Sequence, residues 1–383
     1  MSLILKNPLT GFKDYLTCRM EERLKKTYME RVYGKYFLKA VKLSLSSSCG
    51  AHCIFCPENR GERIKTKTMD IQLVDKIVRE ISSDQKLHTV TRFSCGENGD
   101  AFLNPDALEC LRIIKRRLPK CTVFMATNFQ NLTRDKATTI LKEGLIDSVC
   151  CNIDGHDDYY YRVVKRMSLE RVEQNLMDFL EIRKEMHSKV PLTIFAITYR
   201  KYVNEIKNNF GFLPCNLHGK ELKDLVDDFK LIEAKWKPML DPVRDRIMRQ
   251  PIYGWAERGL VDPTQIKYKK YNCPLLENVK REAHIAPDGT WYICCHDANN
   301  ELILGNLAND SLVNLMMSAR RMKLIRMLEK KQFSKIGGPC KTVNCCIPFY
   351  KPQKRLSRGR ILSKLPFSNF TRRIAYEFAQ RML

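Results

Sequence analysis

From Val41 the chain alternates apolar and polar positions, Val41, Leu43 and Leu45 against Lys42 and Ser44, which predicts a strand with one buried face. At Met69 the period changes. Ile71, Val74, Ile77, Val78 and Ile81 recur at helical spacing behind Asp70, predicting a helix over 69–81 with its start near that aspartate. The same alternation of periods continues, with strands predicted at about 88–94, 122–126, 149–153 and 192–198. Helices are expected between them, from Pro105 through Ile113 and Ile114, over 134–143 and over 169–183. Strand and helix in turn is the pattern of a parallel sheet with crossover helices, and about six such units make an α/β fold of the partial (β/α)6 barrel type. Chemistry in such folds sits at the carboxyl ends of the strands.

Towards the C-terminus the pattern shortens. Ile285-Ala-Pro-Asp-Gly-Thr-Trp-Tyr-Ile293 reads as a β-hairpin turning at Asp288-Gly289, with Trp291 and Ile293 on one side of the returning strand. Leu304-Gly-Asn-Leu307 then leads to a helix from about Ser311. Four segments are expected: a basic helical N-terminal stretch at 1–38, the barrel at 39–235, a smaller hairpin and helix domain at 236–350, and a basic tail at 351–383. The N-terminal stretch is short for a separate peptide-binding domain. In the tail, Phe367, Phe370, Ile374 and Phe378 fall at near-helical intervals among nine Lys or Arg and one Glu. Such a helix suits peripheral contact with a membrane surface, and it equally suits docking on the body of the protein.

Composition adds partners and compartment. At 383 residues with a net charge of +24, the chain expects an anionic partner, either a phosphorylated or nucleotide-linked molecule, nucleic acid or an acidic membrane, or simply a solvated basic surface. No RNP motif or C2H2 finger is present, so specific nucleic-acid binding is not expected. No run of about eighteen apolar residues occurs, and Lys6, Lys13 and Asp14 interrupt the opening, which reads as cytoplasmic. Sixteen cysteines in such a chain point to metal or redox use rather than a disulfide framework. Cys110, Cys121, Cys150 and Cys151 are expected as buried apolar side chains.

The informative cysteines are Cys49, Cys53 and Cys56, directly after the first strand. Three thiolates on a four-iron cluster leave one iron open to a ligand, whereas an electron-transfer cubane normally takes four. A zinc site and three structural cysteines are the alternatives, although zinc sites more usually pair two CxxC knuckles. The spacing, with Phe55 before the last cysteine, resembles the signature of the radical S-adenosylmethionine (SAM) enzymes. The resemblance implies a 4Fe-4S cluster whose open iron is chelated by SAM, reductive cleavage to a 5′-deoxyadenosyl radical, and Phe55 on the adenine side. It also implies an electron donor such as flavodoxin or ferredoxin.

Other loops extend the resemblance over roughly 39–235. Cys95-Gly-Glu-Asn-Gly-Asp-Ala-Phe-Leu-Asn-Pro-Asp106 is similar to the family's Gly-Gly-Glu-Pro motif, with Asn98, Gly99, Asp100 and Ala101 on its four positions. The resemblance assigns Asn98, Gly99 and Asp100 to the methionyl ammonium, Asp replacing Glu. Thr127-Asn128 resembles the family's Thr-Asn-Gly, with Phe129 in place of glycine, and Asn152 stands where a serine commonly binds the cofactor. Arg166 matches a position that often faces the cofactor carboxylate, and Asn204 is a fainter match.

A second cysteine group comprises Cys273, Cys294, Cys295, Cys340, Cys345 and Cys346. Cysteines before, on and after a hairpin can enclose a metal, iron–sulfur or structural zinc. The arrangement is similar to the SPASM and twitch auxiliary-cluster domains, although Cys340 and Cys345 are separated by four residues where those domains commonly close with CxxC. One auxiliary cluster is implied, on Cys273, Cys294, Cys340 and Cys346, with Cys345 and Cys295 as substitutes. The expected activity is hydrogen abstraction from a small, carbohydrate-like or anionic substrate, with oxidation of a sugar or cyclitol alcohol favoured. A peptide-modifying maturase is the alternative within the family, and a zinc-stabilised binding protein is the alternative outside it.

Overall fold

The computed structural model describes residues 36–53, 56, 67–197, 229–250, 273–297 and 300–342. The N-terminal helices expected before residue 36 and the basic tail lie outside the described residues, as does Asn204. The alternating stretch at Val41 forms β1 (Ala40–Leu43), and the cysteine loop leaves its carboxyl end. In α1 (Ile71–Ser83) the Asp70 carboxylate accepts the Gln72 amide at 2.7 Å, capping a helix whose buried stripe is Val74, Ile77, Val78 and Ile81. Next come β2 (Arg92–Cys95), α2 (Ala107–Arg117), β3 (Thr122–Thr127), α3 (Arg134–Lys142), β4 (Ser148–Asn152), α4 (Asp158–Lys165), α5 (Leu169–Glu185) and β5 (Leu192–Ile197). After α6 (Phe229–Trp236) and β6 (Arg246–Gln250), the chain continues through α7 (Leu276–Arg281), β7 (Glu282–Ile285), β8 (Thr290–Tyr292), β9 (Ile303–Asn306), α8 (Leu312–Met316) and α9 (Ala319–Glu329).

β1 to β6 are six parallel neighbours in chain order, the partial barrel expected. The sheet does not stop at residue 235, where the barrel was expected to end. β6 pairs with β5, and β7 pairs in parallel with β1 on the opposite edge, so β7, β8 and β9 extend one nine-stranded sheet. The hairpin therefore grows out of the barrel sheet. β2 also starts later than expected, because Asp84 caps a 3-10 turn at Gln85–Leu87 ahead of it.

The register separates two faces. Val41, Leu43, Phe93, Cys95, Val123, Met125, Val149, Cys151, Ala283 and Ile285 share one face, all at most 1% exposed, and join the core containing the stripe of α1. The opposite face carries Lys42, Arg92, Ser94, Thr122, Ser148, Glu282 and His284, and it is the inner side of the barrel because the helices cover the other. Side chains of α1 fasten the C-terminal elements to the barrel. Lys76 Nζ donates to the carbonyls of Leu307, Ala308 and Asp310 at 2.6, 3.2 and 3.1 Å. The Glu80 carboxylate accepts the Leu312 and Val313 amides, each at 2.8 Å, where α8 begins. A negative group there satisfies helix-end donors that would otherwise be bare.

Candidate active site

The loops after β1, β2, β3 and β4 meet at one end of the sheet, as parallel pairing requires. In the first, Ser47 pairs back on Lys67, its amide reaching the Lys67 carbonyl at 2.9 Å, and the Cys56 amide donates to the Cys53 carbonyl at 3.1 Å in a tight turn. Cys53 is buried, while Cys49 and Cys56 are half-buried. Asn128, after β3, directs Nδ2 to the Cys49 sulfur at 3.5 Å. An amide donor aimed at a sulfur suits a thiolate bearing negative charge.

The glycine loop is laced to the cysteine loop through its backbone. The Asp100 amide donates to the Ser48 carbonyl at 2.7 Å. At Gly99, with φ at 77°, a Cβ would stand 2.3 Å from the Ser46 carbonyl oxygen and 2.7 Å from that of Ser48. Only glycine permits that approach. Gly99→Ala is therefore expected to lower unfolding stability by about 2 kcal/mol and to weaken SAM binding, as measured by urea denaturation and equilibrium dialysis.

Asp100 is placed differently from its expected part. Its carboxylate is buried and accepts from the Phe102 amide at 3.2 Å, Thr127 Oγ1 at 3.3 Å and Asn131 Nδ2 at 2.8 Å. Three donors fill most of the roughly four lone-pair directions of a carboxylate. Asp100 thus braces the loops after β2 and β3, and the neighbouring backbone of Asn98 and Gly99 is what remains for a ligand. Phe129 takes φ 64° where the resembled motif has glycine, so the left-handed turn survives the substitution, with the ring buried edge-on against Phe179 at 5.7 Å. Asn152 stands at the end of β4, its carbonyl accepting from Tyr161 Oη and Lys165 Nζ, each at 3.3 Å. Arg166 is exposed just past α4, at φ 54°. Phe55 lies outside the described residues.

Two features had no sequence signal strong enough to single them out. The first is a buried ion pair, Lys165 Nζ to Asp154 Oδ2 at 2.8 Å, with both side chains at most 3% exposed. The Lys165 carbonyl holds the His52 amide at 2.8 Å, fixing the pair beside the cysteine loop. Burial raises the Cys53 thiol to about 12, opposed by the Lys165 cation. Without a metal that thiol stays protonated, and the cation favours the thiolate that a metal requires.

The second is a charged network on the inner face of β1, β2 and β7. Lys42 Nζ lies 3.1 Å from Glu97 and 3.0 Å from Glu282. Arg92 reaches Glu282 at 3.0 Å, and His284 Nδ1 reaches Glu97 Oε2 at 2.5 Å. Tyr292 Oη stands 3.4 Å from both Glu97 and Asn98. Burial pushes the Glu97 carboxyl upward, but His284 and Lys42 outweigh it and hold it down to about 2. Burial likewise opposes the charge on Lys42, and the two carboxylates more than restore it. A faint signal existed, since Lys42, Glu282 and His284 occupy the polar positions of alternating strands whose polar side faces inward.

Cys273, Cys294 and Cys340 all pack in the one apolar core, whereas Cys295 does not belong to it. Cys294 follows β8 in a turn that the Asp297 carboxylate closes by accepting the Glu301 and Leu302 amides, each at 2.9 Å. Cys345 and Cys346 lie outside the described residues. No disulfide joins the described cysteines to one another, and among the described residues no three Cys, His, Asp or Glu side chains converge tightly enough to hold a metal ion. In donor chemistry the loop fits an anionic thiolate-bound cluster: sulfur ligands, an amide donor on Cys49 and a buried cation beside Cys53.

A family model for the radical SAM superfamily matches residues 43–200, and one for the SPASM iron-sulfur cluster-binding domain matches residues 273–346. The curated proteins contain no match. Among solved structures, SuiB of Streptococcus suis is similar at 12% identity, covering 85% of this chain and 75% of its own, with a TM-score of 0.51. BtrN in complex with AdoMet and 2-DOIA is similar at 14% identity, over 80% of this chain and 92% of its own, with a TM-score of 0.47. Native anSMEcpe with bound AdoMet is similar at 13% identity, over 79% and 88%, with a TM-score of 0.49. Matched over the cysteine-loop barrel and the hairpin with its flanking cysteines, the chain belongs to the radical S-adenosylmethionine superfamily and carries a SPASM iron–sulfur cluster-binding domain.

Proposed function

We propose that this radical SAM enzyme oxidises a hydroxyl-bearing carbon of a small polyhydroxylated substrate, of sugar or cyclitol type. The observation that carries the reading is the inner face of β1, β2 and β7. It carries Lys42, Glu97, Glu282 and His284 as a largely buried, mutually paired network between the glycine loop and the hairpin leading to Cys294. Charged groups concentrated on the inner side of a barrel suit a substrate with many hydroxyls.

When bound, a 4Fe-4S cluster with SAM supplies a 5′-deoxyadenosyl radical able to take hydrogen from an unactivated carbon. Cys49, Cys53 and Cys56 hold that cluster. Asn128 orients Cys49, and Lys165 balances thiolate charge at Cys53. The backbone of Asn98 and Gly99 would receive the methionyl group, with Asn152 at the end of β4 and Arg166 just past α4 as further candidates for the cofactor's surroundings; Phe55, outside the described residues, is the candidate for its adenine side. Cys273, Cys294 and Cys340, with Cys345 or Cys346, would hold an auxiliary cluster, which would supply an acceptor for the electron left on the substrate. The basic surface, at a net +24, favours an acidic electron donor of the flavodoxin or ferredoxin kind.

The test is isotopic. Reduced holoenzyme is incubated with SAM and carbon-deuterated cyclitols, sugars and sugar phosphates, and deuterium in 5′-deoxyadenosine is measured by mass spectrometry. Transfer from one of these, with a ketone product, is expected. Transfer only from a peptide would replace this reading with the maturase one, the activity class to which the peptide-bound form of SuiB draws attention.

A further inference from the structure

Ser94, Lys42, His284 and Tyr292 stand in one row across the inner side of the sheet. Ser94 on β2 is the register partner of Lys42 on β1, Lys42 is the partner of His284 on β7, and His284 lies opposite Tyr292 on β8, their rings 5.6 Å apart. The glycine loop leaves β2 and folds back over this row through Glu97. The Glu97 carboxylate lies 3.1 Å from Lys42 Nζ, 2.5 Å from His284 Nδ1 and 3.4 Å from Tyr292 Oη. An ionised Glu97 can only accept, so His284 and Tyr292 both donate to it. Tyr292 Oη in turn accepts from Asn98 Nδ2 at 3.4 Å, which makes a chain of donors from Asn98 through Tyr292 to Glu97. Burial and the Glu97 charge push the Tyr292 phenol well above its ordinary value, and it keeps the proton this chain needs.

Each residue of the loop has its own hold. Gly96, at φ 91°, is pressed on β3, where a Cβ would stand 2.1 Å from the Ala126 carbonyl oxygen. Gly99 is pressed on the Ser46 and Ser48 carbonyls, and Asp100 is tied to Thr127 and Asn131. Those holds all come from the barrel. Between them, Glu97 and Asn98 are gripped by His284 and Tyr292, which belong to the C-terminal strands, with Lys42 as the barrel's share. Charge balances within the network, since Lys42 and Arg92 match the carboxylates of Glu97 and Glu282. The loop is therefore held before a ligand arrives, and a loop already in place loses less freedom on binding.

We infer that Lys42, His284 and Tyr292 form a clamp that seats the methionyl-binding loop, and that Tyr292, supplied by the hairpin of the SPASM domain, is a positioning residue that sets the affinity for SAM. Tyr292 lies on β8, within the residues matched by the SPASM model and two before Cys294. The hairpin thus contributes to SAM binding through a strand side chain, and not through its cysteines alone. The clamp depends on the methionyl group lying on the Asn98 and Gly99 backbone, as proposed above, and is independent of which substrate is oxidised.

Tyr292→Phe removes only the hydroxyl. In reconstituted, unreduced holoenzyme it is expected to raise the Kd for SAM by about three- to tenfold, the range of a lost hydrogen bond, as measured by equilibrium dialysis. The Kd for 5′-methylthioadenosine, which keeps the nucleoside and lacks the amino-acid group, is expected to stay within about twofold. Asn98→Ala keeps the loop backbone and is expected to show the same selective loss. The double variant is expected to bind SAM no more weakly than the weaker single one, because both changes remove one contact. Iron content and melting temperature report assembly, and Asn98→Ala covers the case in which Tyr292→Phe does not assemble. An unchanged Kd for SAM in the assembled variants overturns the clamp, as do additive losses in the double variant. Equal weakening of both ligands also overturns it, since that marks a merely structural network. Gly99→Ala separates the clamp from the placement beneath it. If Gly99→Ala leaves SAM binding unchanged, the methionyl group lies elsewhere and the clamp falls with that placement; if it weakens SAM binding and Tyr292→Phe does not, the clamp alone falls.

Discussion

Replacing Cys49, Cys53 and Cys56 together by alanine is expected to abolish formation of 5′-deoxyadenosine from SAM and to remove about four irons per chain, while the auxiliary iron remains. The reason is positional. The three cysteines leave the carboxyl end of β1, and their loop is bound to the loops after β2 and β3 by the Asp100 amide and the Asn128 side chain. Cys273 precedes α7, Cys294 follows β8 and Cys340 lies beyond α9, in a C-terminal part that Lys76 and Glu80 tie to α1 at Leu307 and Leu312, independently of the cysteine loop. Iron and sulfide assays on anaerobically purified protein, with chromatographic detection of 5′-deoxyadenosine, check both halves. Loss of all iron would show that the two cluster sites assemble as one. Retention of cleavage would place the cofactor elsewhere.

Lys165→Met is expected to destabilise the fold by about 3–5 kcal/mol, the usual result of stripping one partner from a buried ion pair. Asp154 is 1% exposed and would be left buried without its 2.8 Å partner. Lys165 Nζ also donates to the Asn152 carbonyl at the end of β4, so the loss falls on the site as well as on the core. The double variant Asp154→Leu/Lys165→Met, which removes both charges, is expected to recover most of the stability, since desolvation of the pair nearly offsets its attraction. Its iron content is expected to stay below that of the wild type, because Cys53 still lacks the nearby cation. Denaturant midpoints and iron assays on the three proteins separate these effects. Equal stability of the single variant and the wild type would contradict burial of the pair.

Much of the barrel is legible in the sequence because its strands and helices differ so clearly in period. Val74, Ile77, Val78 and Ile81 could form one face only as a helix, and Asp70 marks where it starts. The Asp288-Gly289 turn is equally local, and Gly289 adopts φ 84° in the hairpin. What periodicity could not reveal is pairing over distance. The parallel ladder of β1 with β7 joins residues some 240 apart, from Ala40 opposite Glu282 to Leu43 opposite Ile285, and no local signal encodes it. For the same reason β6 lay beyond the expected barrel boundary.

The site was legible to a similar depth. The cysteines and the glycine loop stand out by spacing, and the loops carrying them do meet. Glu97 and His284 were passed over because a glutamate in a turn and a histidine in a short strand carry no signal until β7 is set beside β1. Asp100 shows the reverse: its place in a motif suggested a ligand contact, whereas burial and three protein donors make it a brace.

The central reading, that the Cys49, Cys53 and Cys56 loop cradles a cluster for SAM cleavage, is most directly tested on the wild-type protein. Iron, acid-labile sulfide and zinc are counted after anaerobic purification, and 5′-deoxyadenosine is measured after reduction with SAM. The expected result is brown protein with at least about four irons and matching sulfide per chain, and 5′-deoxyadenosine formed together with methionine. Colourless protein holding about one or two zinc ions, without sulfide and without SAM cleavage, would contradict it.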